Sequence, residues 1–150
     1  MMITATSVRE LDFDQLLHVY SDELINANDQ ENFYYYLLDF FKEQRACYHI
    51  LVVDGIYVSA LRTEPYRDGW IVAGLHTRRE FRQRGYAKQL LTAACSELLR
   101  RGNIPVYSHV EKRNRASIRT HFACGFDVIL DHATFLDGSV SWNSYTLRCQ

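Results

Sequence analysis

The feature that most constrains the fold is a run of three strand-like segments followed directly by a helix-like segment. Residues 47–53 are almost entirely aliphatic or aromatic, and an Asp-Gly pair separates them from a second apolar run at 56–62. An Asp-Gly pair between two such runs is the strongest short-range signal for a β-hairpin. A further turn at 67–69 leads into a third apolar run at 70–77. The sequence therefore predicts three consecutive antiparallel strands.

The segment after these strands has the periodicity of an amphipathic helix. Its apolar residues follow the i, i+3, i+4, i+7 rule, and they are Ala87, Leu90, Leu91, Ala94, Cys95 and Leu98. Gly102 then provides a residue type that often follows a helix C-terminus, and a new strand pattern covers 104–110. A strand, a helix and a further strand in one sheet form a right-handed crossover with parallel strands. We therefore expect the strands at 70–77 and 104–110 to be parallel.

Further elements on both sides complete the predicted order. They are a strand at 3–8, helices at 14–25, 32–45 and 115–124, and strands near 126–133 and 141–148. The resulting order, β-αα-βββ-α-β-α-ββ, predicts a mixed α/β sheet. With no repeat or linker, residues 1–150 are expected to form a single domain.

Composition excludes several classes of function. The 150 residues are 47% hydrophobic and 23% charged, which is typical of a folded globular domain. The formal net charge is −1, so there is no basic field to attract nucleic acid or an anionic membrane. No apolar stretch approaches the roughly 20 residues that span a bilayer, and the N-terminal residues show no signal-peptide pattern. We expect a cytoplasmic protein with neither nucleic acid nor membrane as a partner.

The cysteines give no indication of a metal site. The four thiols, Cys47, Cys95, Cys124 and Cys149, form no C-x-x-C pair and have no histidine companion at zinc spacing. Cys95 lies on the apolar side of its predicted helix, where an inert core thiol is favoured over a nucleophile. No metal is predicted.

A basic loop with a glycine lies between the third strand and the long helix. Its residues are Arg82, Gln83, Arg84, Gly85, Tyr86 and Ala87. A loop that enters a helix N-terminus presents unpaired N–H groups and the positive end of the helix dipole, which together bind anions. The loop matches neither the P-loop nor the G-x-G-x-x-G fingerprint. It predicts a diphosphate site, but not that of a P-loop nucleotide hydrolase or a nicotinamide dehydrogenase.

In this strand, loop and helix context, residues 82–87 resemble the R/Q-x-x-G-x-G/A signature of the GCN5-related N-acetyltransferase (GNAT) superfamily. A second block from Asn114 to Phe126 resembles the family pattern N-x-x-A-I-x-x-Y-x-x-x-G-F, and the likeness covers residues 46–147. The resemblance implies a three-layer α/β/α fold whose mixed, mostly antiparallel sheet is splayed between two parallel strands. It also implies an N-acetyltransferase that transfers acetyl from acetyl-CoA to a primary amine of a small molecule or peptide.

The resemblance also implies which residues bind coenzyme A. The strand end Leu75, His76 and Thr77 would pair with the pantetheine arm, and a backbone N–H near Leu75 or His76 would stabilise the oxyanion. The diphosphate would be held by the whole loop, which comprises Arg82, Gln83, Arg84, Gly85, Tyr86 and Ala87. Asn114, the first residue of the second block, completes this cofactor-binding set.

The acid and the base are where the sequence departs from the family pattern. His121 stands where many members carry a tyrosine as general acid. His109 stands where members that acetylate ribosomal-protein N-termini carry a glutamate. A histidine, with an ordinary pKa of about 6.5, can exchange protons near neutrality, so we predict His121 as acid and His109 as base. The alternatives are a bystander role for His121, a core-edge role for His109, deprotonation through water, or another base, namely Glu64, Tyr66, Asp68, His76 or Glu111.

The acceptor is less constrained. We expect it near the N-terminal helices and the turn at 61–69, where aromatic residues of the second helix would line a site if they were not core. Arg62, Arg67 and Arg78 would attract an acidic acceptor, although a solvated face is the simpler interpretation. A homodimer through edge strands and a monomer are equally open. Two other functions fit the same motifs: a non-catalytic CoA-binding or regulatory module, and a domain that binds another phosphate.

Overall fold

A computed structural model describes residues 1–149 of the protein. Its strands are β1 Met2–Ala5, β2 Cys47–Val53, β3 Ile56–Tyr66, β4 Gly69–Thr77, β5 Val106–Glu111, β6 Asp127–Leu130, β7 Ala133–Thr134, β8 Val140–Ser141 and β9 Ser144–Cys149. Its α-helices are α1 Phe13–Val19, α2 Ala27–Phe40, α3 Tyr86–Arg101 and α4 Arg115–Ala123. One sheet has the order β1-β2-β3-β4-β5-β9-β6, and β7 pairs with β8 separately.

The three consecutive antiparallel strands are confirmed. Asp54 and Gly55 have φ values of 50° and 78° at the turn between β2 and β3. Two positive φ values are characteristic of the type I′ turn, whose twist matches that of the strands. β3 is longer than predicted because its pairing with β4 continues to Tyr66↔Gly69.

The predicted parallel pair is also confirmed, and it is short. β4 and β5 pair only at Trp70↔Val106, Ile71↔Tyr107 and Val72↔Ser108. β4 continues to Thr77 and β5 to Glu111 without further pairing between them. The sheet is therefore open along the second half of β4. On the other side of this half, an irregularity in the β3–β4 register accompanies Gly74, which has a φ of 64°.

Helices cover both faces of the sheet. α3 packs its buried Leu90, Leu91 and Leu98 against a core that includes Val72 and Leu147. On the other face, α1 and α2 form a second core with β1, β2 and β3, which includes Leu16, Leu37, Tyr48 and Ile50. Burying apolar residues on both faces gives the predicted three-layer arrangement. In the described part of the chain, every helix is too short or too polar to cross a bilayer.

The N-terminal helices differ from their predicted bounds. α2 begins at Ala27 rather than 32 because Asn26 caps it, accepting a hydrogen bond from the Asp29 N–H at 2.9 Å. α1 ends at Val19 rather than 25, and the residues between the two helices lie beside the end of β4. At the other end of the chain, the last two predicted strands divide, so that β6 pairs with β9 and the turn at Gly138 joins β7 to β8.

Candidate active site

A groove of about 710 Å³ lies where β4 and β5 separate. The end of β4, the loop before α3, the first turn of α3 and the exposed side of α4 line it. The structure brings together at this groove most of the residues that the sequence assigned to the cofactor, namely Leu75, His76, Thr77, Arg82, Gln83, Gly85, Tyr86, Ala87 and Asn114. Arg84 is not among the lining residues, and its guanidinium lies 5.4 Å from the centre of the Phe81 ring.

The N-terminus of α3 fits an anion. Gly85 is the N-cap residue with a φ of 80°, and the first bond of the helix runs from the Gln89 N–H to the Gly85 carbonyl at 3.0 Å. The amides of the first turn, at 86–88, precede that bond and have no partner within the helix. A Cβ atom added at Gly85 would meet no atom within 4 Å. The glycine is therefore required by its backbone conformation, and the space above it is open to a diphosphate.

The Arg82 side chain supports the end of β4. Its Nε donates to the Thr77 carbonyl at 2.9 Å, and its Nη2 donates to Asp22 Oδ2 at 2.7 Å. The hydrogen bond from Arg82 lowers the pKa of Asp22. Arg82 therefore fixes the segment after α1 against the strand that lines the groove.

A second cavity of about 320 Å³ adjoins the groove. Its lining combines the segment after α1 (Tyr20, Glu23, Leu24), α2 (Phe33, Tyr36), β3 (Arg62) and β4 (Gly74, Leu75, His76). Leu75 and His76 line both spaces, so the groove and the cavity meet at the end of β4. This is the region between the N-terminal helices and the sheet, where the sequence predicts the acceptor.

His76 lies at the junction between two carboxylates. Its Nε2 is 2.9 Å from Arg82 Nη2 and 3.6 Å from Asp22 Oδ1, and its Nδ1 is 3.7 Å from Glu23 Oε1. Because an arginine can only donate, Nε2 accepts, and the proton of the neutral ring is on Nδ1, facing Glu23. The ring also stacks on Tyr20, with centroids 5.3 Å apart. His76 is thus held in one orientation beside both spaces.

The two histidines predicted as acid and base line neither space. His121 is only 2% exposed, with Nε2 2.9 Å from Ser108 Oγ and Nδ1 2.7 Å from the Ser117 carbonyl, and burial lowers its pKa. His109 packs against Tyr66 and Phe135, and burial also lowers its pKa. Their roles stay predictions.

Sequence reasoning gave His76 two roles, as a cofactor contact and as one of five reserve bases, and it did not single out Asp22 or Glu23. The two acids were assigned to a helix that would have continued to 25, which hid their approach to β4. A turn signal after Val19 would have been needed to find them. The other reserve bases, Glu64, Tyr66, Asp68 and Glu111, line neither space.

Several solved acetyltransferases have the same fold. The ribosomal-protein-alanine N-acetyltransferase from Brucella melitensis aligns with a TM-score of 0.72 and 21% identity over 99% of this chain and 98% of that one. The ribosomal-protein-S18-alanine N-acetyltransferase from Escherichia coli gives 0.71 and 16% over 99% and 93%. The PaiA N-acetyltransferase from Thermoplasma acidophilum, in complex with coenzyme A, gives 0.69 and 12% over 100% and 99%.

The family is shown by the sequence itself. The model of the acetyltransferase (GNAT) family matches residues 13–126, which include the segment after α1, all of β4, the loop at 82–87 and the second block. The comparison with curated proteins gives no significant match. Since the match covers most of the chain and the fold agrees with it, this protein belongs to the GNAT family of acetyltransferases.

Proposed function

We propose that this protein transfers the acetyl group of acetyl-CoA directly to the primary amine of a small molecule or peptide. The observation that carries the proposal is the meeting of the groove and the second cavity at Leu75 and His76. One space contains an open helix N-terminus that is suited to an anion, and the other lies between the N-terminal helices and the sheet. Two substrates bound in the two spaces would meet at the end of β4, so transfer would need no acyl-enzyme intermediate.

The chain's own residues supply binding on the groove side. The amides at 86–88 and the Lys88 side chain would hold the diphosphate, and the unpaired half of β4 would align the pantetheine arm as a neighbouring strand does. Acetyl-CoA, when bound, supplies an activated thioester, whose C–S bond breaks as the amide bond forms, so that coenzyme A leaves as a thiolate that takes up a proton from water. A backbone N–H near Leu75 or His76 would stabilise the negative charge that develops on the thioester oxygen.

We assign the deprotonation of the amine to the residues around His76, where the groove and the second cavity meet. At neutral pH most primary amines are ammonium ions, so the acceptor must lose a proton before attack. We propose that Glu23, 3.7 Å from His76 Nδ1, attracts the ammonium group, and that its proton passes through water to His76 Nε2, which gives up its hydrogen bond from Arg82 and then donates to Asp22 Oδ1. Asp22 supports the same step, because its Oδ1 is buried without a hydrogen-bond partner among the described residues and lies 3.6 Å from His76.

Replacement of Gly85 tests the cofactor side. Gly85→Glu places a carboxylate where the diphosphate would bind, and we expect the dissociation constant of acetyl-CoA to rise at least about tenfold, or about 1.4 kcal/mol, by calorimetry. Gly138→Glu is a matched control, because Gly138 also has a positive φ, 89°, and open space around it, far along the chain in the β7–β8 turn. Equal affinity in the two variants would contradict the diphosphate assignment.

Replacement of three histidines tests the proton transfer. We expect His76→Gln to lower kcat/KM by about 100-fold. His109→Gln and His121→Gln are measured beside it, since the sequence predicts them as base and acid. A His76→Gln protein within twofold of the parent would contradict our assignment, and a large loss only at His109 or His121 would favour the sequence prediction instead.

A non-catalytic CoA-binding module is the second candidate. His121 stands where many family members carry the tyrosine acid, and β4 carries no carboxylate, since its sequence is GWIVAGLHT. Thermal shift with CoA against ATP and NAD tests binding, because a ligand of the folded state raises the apparent stability. Release of free thiol from acetyl-CoA with an amine panel tests turnover. Binding without any thiol release would identify the module. A cytoplasmic location and a homodimer stay predictions.

A further inference from the structure

The second cavity contains a positively charged side chain. Arg62 extends from β3 to the wall of the cavity beside Gly74. A Cβ atom added to Gly74 would overlap Arg62 Nη1, so the guanidinium lies directly against the β4 irregularity. Its Cζ also lies 5.2 Å from the centre of the Tyr36 ring. The sequence favoured a solvated face for this arginine, and that interpretation is wrong for Arg62, which is mostly buried in the cavity wall.

The charge of Arg62 has no counter-ion within the described residues. None of the ion pairs within 4.0 Å involves it. The groups around it are phenols, and burial raises the pKa of Tyr36, raises that of Tyr48 to about 12 and raises that of Tyr20 well above its usual range. These phenols are neutral at pH 7. The charge of Arg62 opposes the rise that burial causes in the pKa of Glu64, but the two residues form no ion pair within 4.0 Å.

A directed chain of hydrogen bonds joins Tyr48, Tyr20 and Gly74 beside the guanidinium. The Tyr20 hydroxyl donates to the Gly74 carbonyl at 2.6 Å, so in its 2.7 Å contact with Tyr48 it accepts and Tyr48 donates. The Tyr48 oxygen can then accept from Arg62, whose pKa is raised by these phenols despite its burial. Arg62 has five N–H groups, and none of these phenol oxygens carries a negative charge. A guanidinium without an anionic partner is suited to a bidentate carboxylate.

We propose that the acceptor is a free amino acid with an apolar or aromatic side chain, whose carboxylate binds Arg62 while its amine faces His76 and Glu23. Arg62 and His76 line the same cavity, and Leu24, Phe33 and Tyr36 supply its apolar wall. An amine and a carboxylate attached to one carbon match a cavity with His76 and Glu23 on one side and Arg62 on the other. This inference rests on the proposed function and names its substrate class.

Matched substrates test the inference without any variant. L-phenylalanine is compared with phenethylamine, with L-phenylalaninamide and with a short peptide that begins with alanine. Each rate is divided by the concentration of the unprotonated amine at the assay pH. We expect kcat/KM for phenylalanine to exceed that of the two carboxylate-free amines by at least about 30-fold. Equal or faster acetylation of phenethylamine, the amide or the peptide would overturn the inference and leave the acetyltransferase function standing. Absence of any turnover would overturn both.

Replacement of Arg62 tests the residue. Arg62→Met removes the charge and keeps an apolar stem. We expect kcat/KM for phenylalanine and for phenethylamine to differ by no more than about threefold in this variant. Arg67→Met, on the exposed turn after β3, is the matched control and should retain the parent preference. Calorimetry with the product N-acetyl-L-phenylalanine gives a readout independent of turnover, and its affinity should fall at least about tenfold in Arg62→Met only. Unchanged affinity in a folded Arg62→Met protein would overturn the inference.

Discussion

Replacement of a buried histidine far from both spaces should change how stability depends on pH. His49 on β2 is fully buried, with Nε2 2.9 Å from Thr63 Oγ1 and Nδ1 3.3 Å from both Thr4 Oγ1 and Glu97 Oε2. Burial lowers its pKa from 6.5 to about 4, although the nearby Glu97 carboxylate acts in the opposite direction. The folded protein therefore keeps this imidazole neutral at a pH where the unfolded chain protonates it.

The magnitude follows from this pKa difference. At about pH 7.5 both states are neutral and His49 contributes no pH dependence. At about pH 5 the unfolded chain binds a proton that the folded protein does not, so the free energy of unfolding decreases by about 2 kcal/mol. The free energy of unfolding is therefore unaffected by His49 above about pH 6.5, and it decreases as the pH falls from 6.5 toward 4. His49→Gln should abolish this part of the acid sensitivity.

Urea unfolding at the two pH values measures the effect. We expect the parent to lose about 2 kcal/mol more than His49→Gln on going from about pH 7.5 to about pH 5, a difference of roughly 1 M in midpoint. His18→Gln, on the exposed surface of α1, is the control and should follow the parent. If His49→Gln also loses as much as the parent, the acid sensitivity arises elsewhere and the burial argument for His49 is refuted.

Three further substitutions and a labelling experiment test the packing. Gly74→Ala should displace Arg62 and strain a left-handed residue, which lowers stability by about 1 kcal/mol and reduces the preference for carboxylate-bearing amines; an unchanged preference would contradict the position of Arg62. Gly69→Ala should lower Tm by roughly 5 °C or more, because its Cβ would overlap the Pro105 carbonyl at the start of the parallel pair. Phe126→Ala should cost about 3 to 5 kcal/mol in urea unfolding, since Phe126 is 1% exposed. Iodoacetamide should label Cys124 before Cys95, whose pKa is raised by Cys149 and by burial, and mass spectrometry that found Cys95 labelled first would contradict its burial.

Local signals in the sequence were sufficient for much of the fold. The Asp-Gly pair predicted the β2–β3 hairpin, and the 3.6-residue pattern at 87–98 predicted α3. The crossover rule then predicted that β4 and β5 are parallel. These features depend on residues close in sequence or on a general rule of chirality, so one chain is enough to recognise them. The loop at 82–87 could be located for the same reason.

The junction could not be predicted because it is assembled from distant segments. Glu23, Arg62 and His76 come from a turn and two strands, and their approach depends on where α1 ends. Periodicity predicted that α1 continues to residue 25, beyond its observed end at Val19, and therefore placed Glu23 on a helix. The burial of Arg62 depends on three tyrosines from other elements, which no pattern within β3 indicates. Tertiary packing, rather than local preference, decides the acceptor side.

The short pairing of β4 with β5 has a mechanical consequence. Only three residue pairs join β1–β4 to β5, β9 and β6, so the two parts of the sheet are connected by a narrow hinge. α3 touches β2, β3, β4 and β5, and it is the helix that spans the hinge. A ligand bound between β4 and β5 and against the start of α3 would contact both parts of the sheet and hold them in a fixed relative position. Amide hydrogen exchange in β4 and β5 should therefore slow when coenzyme A is added.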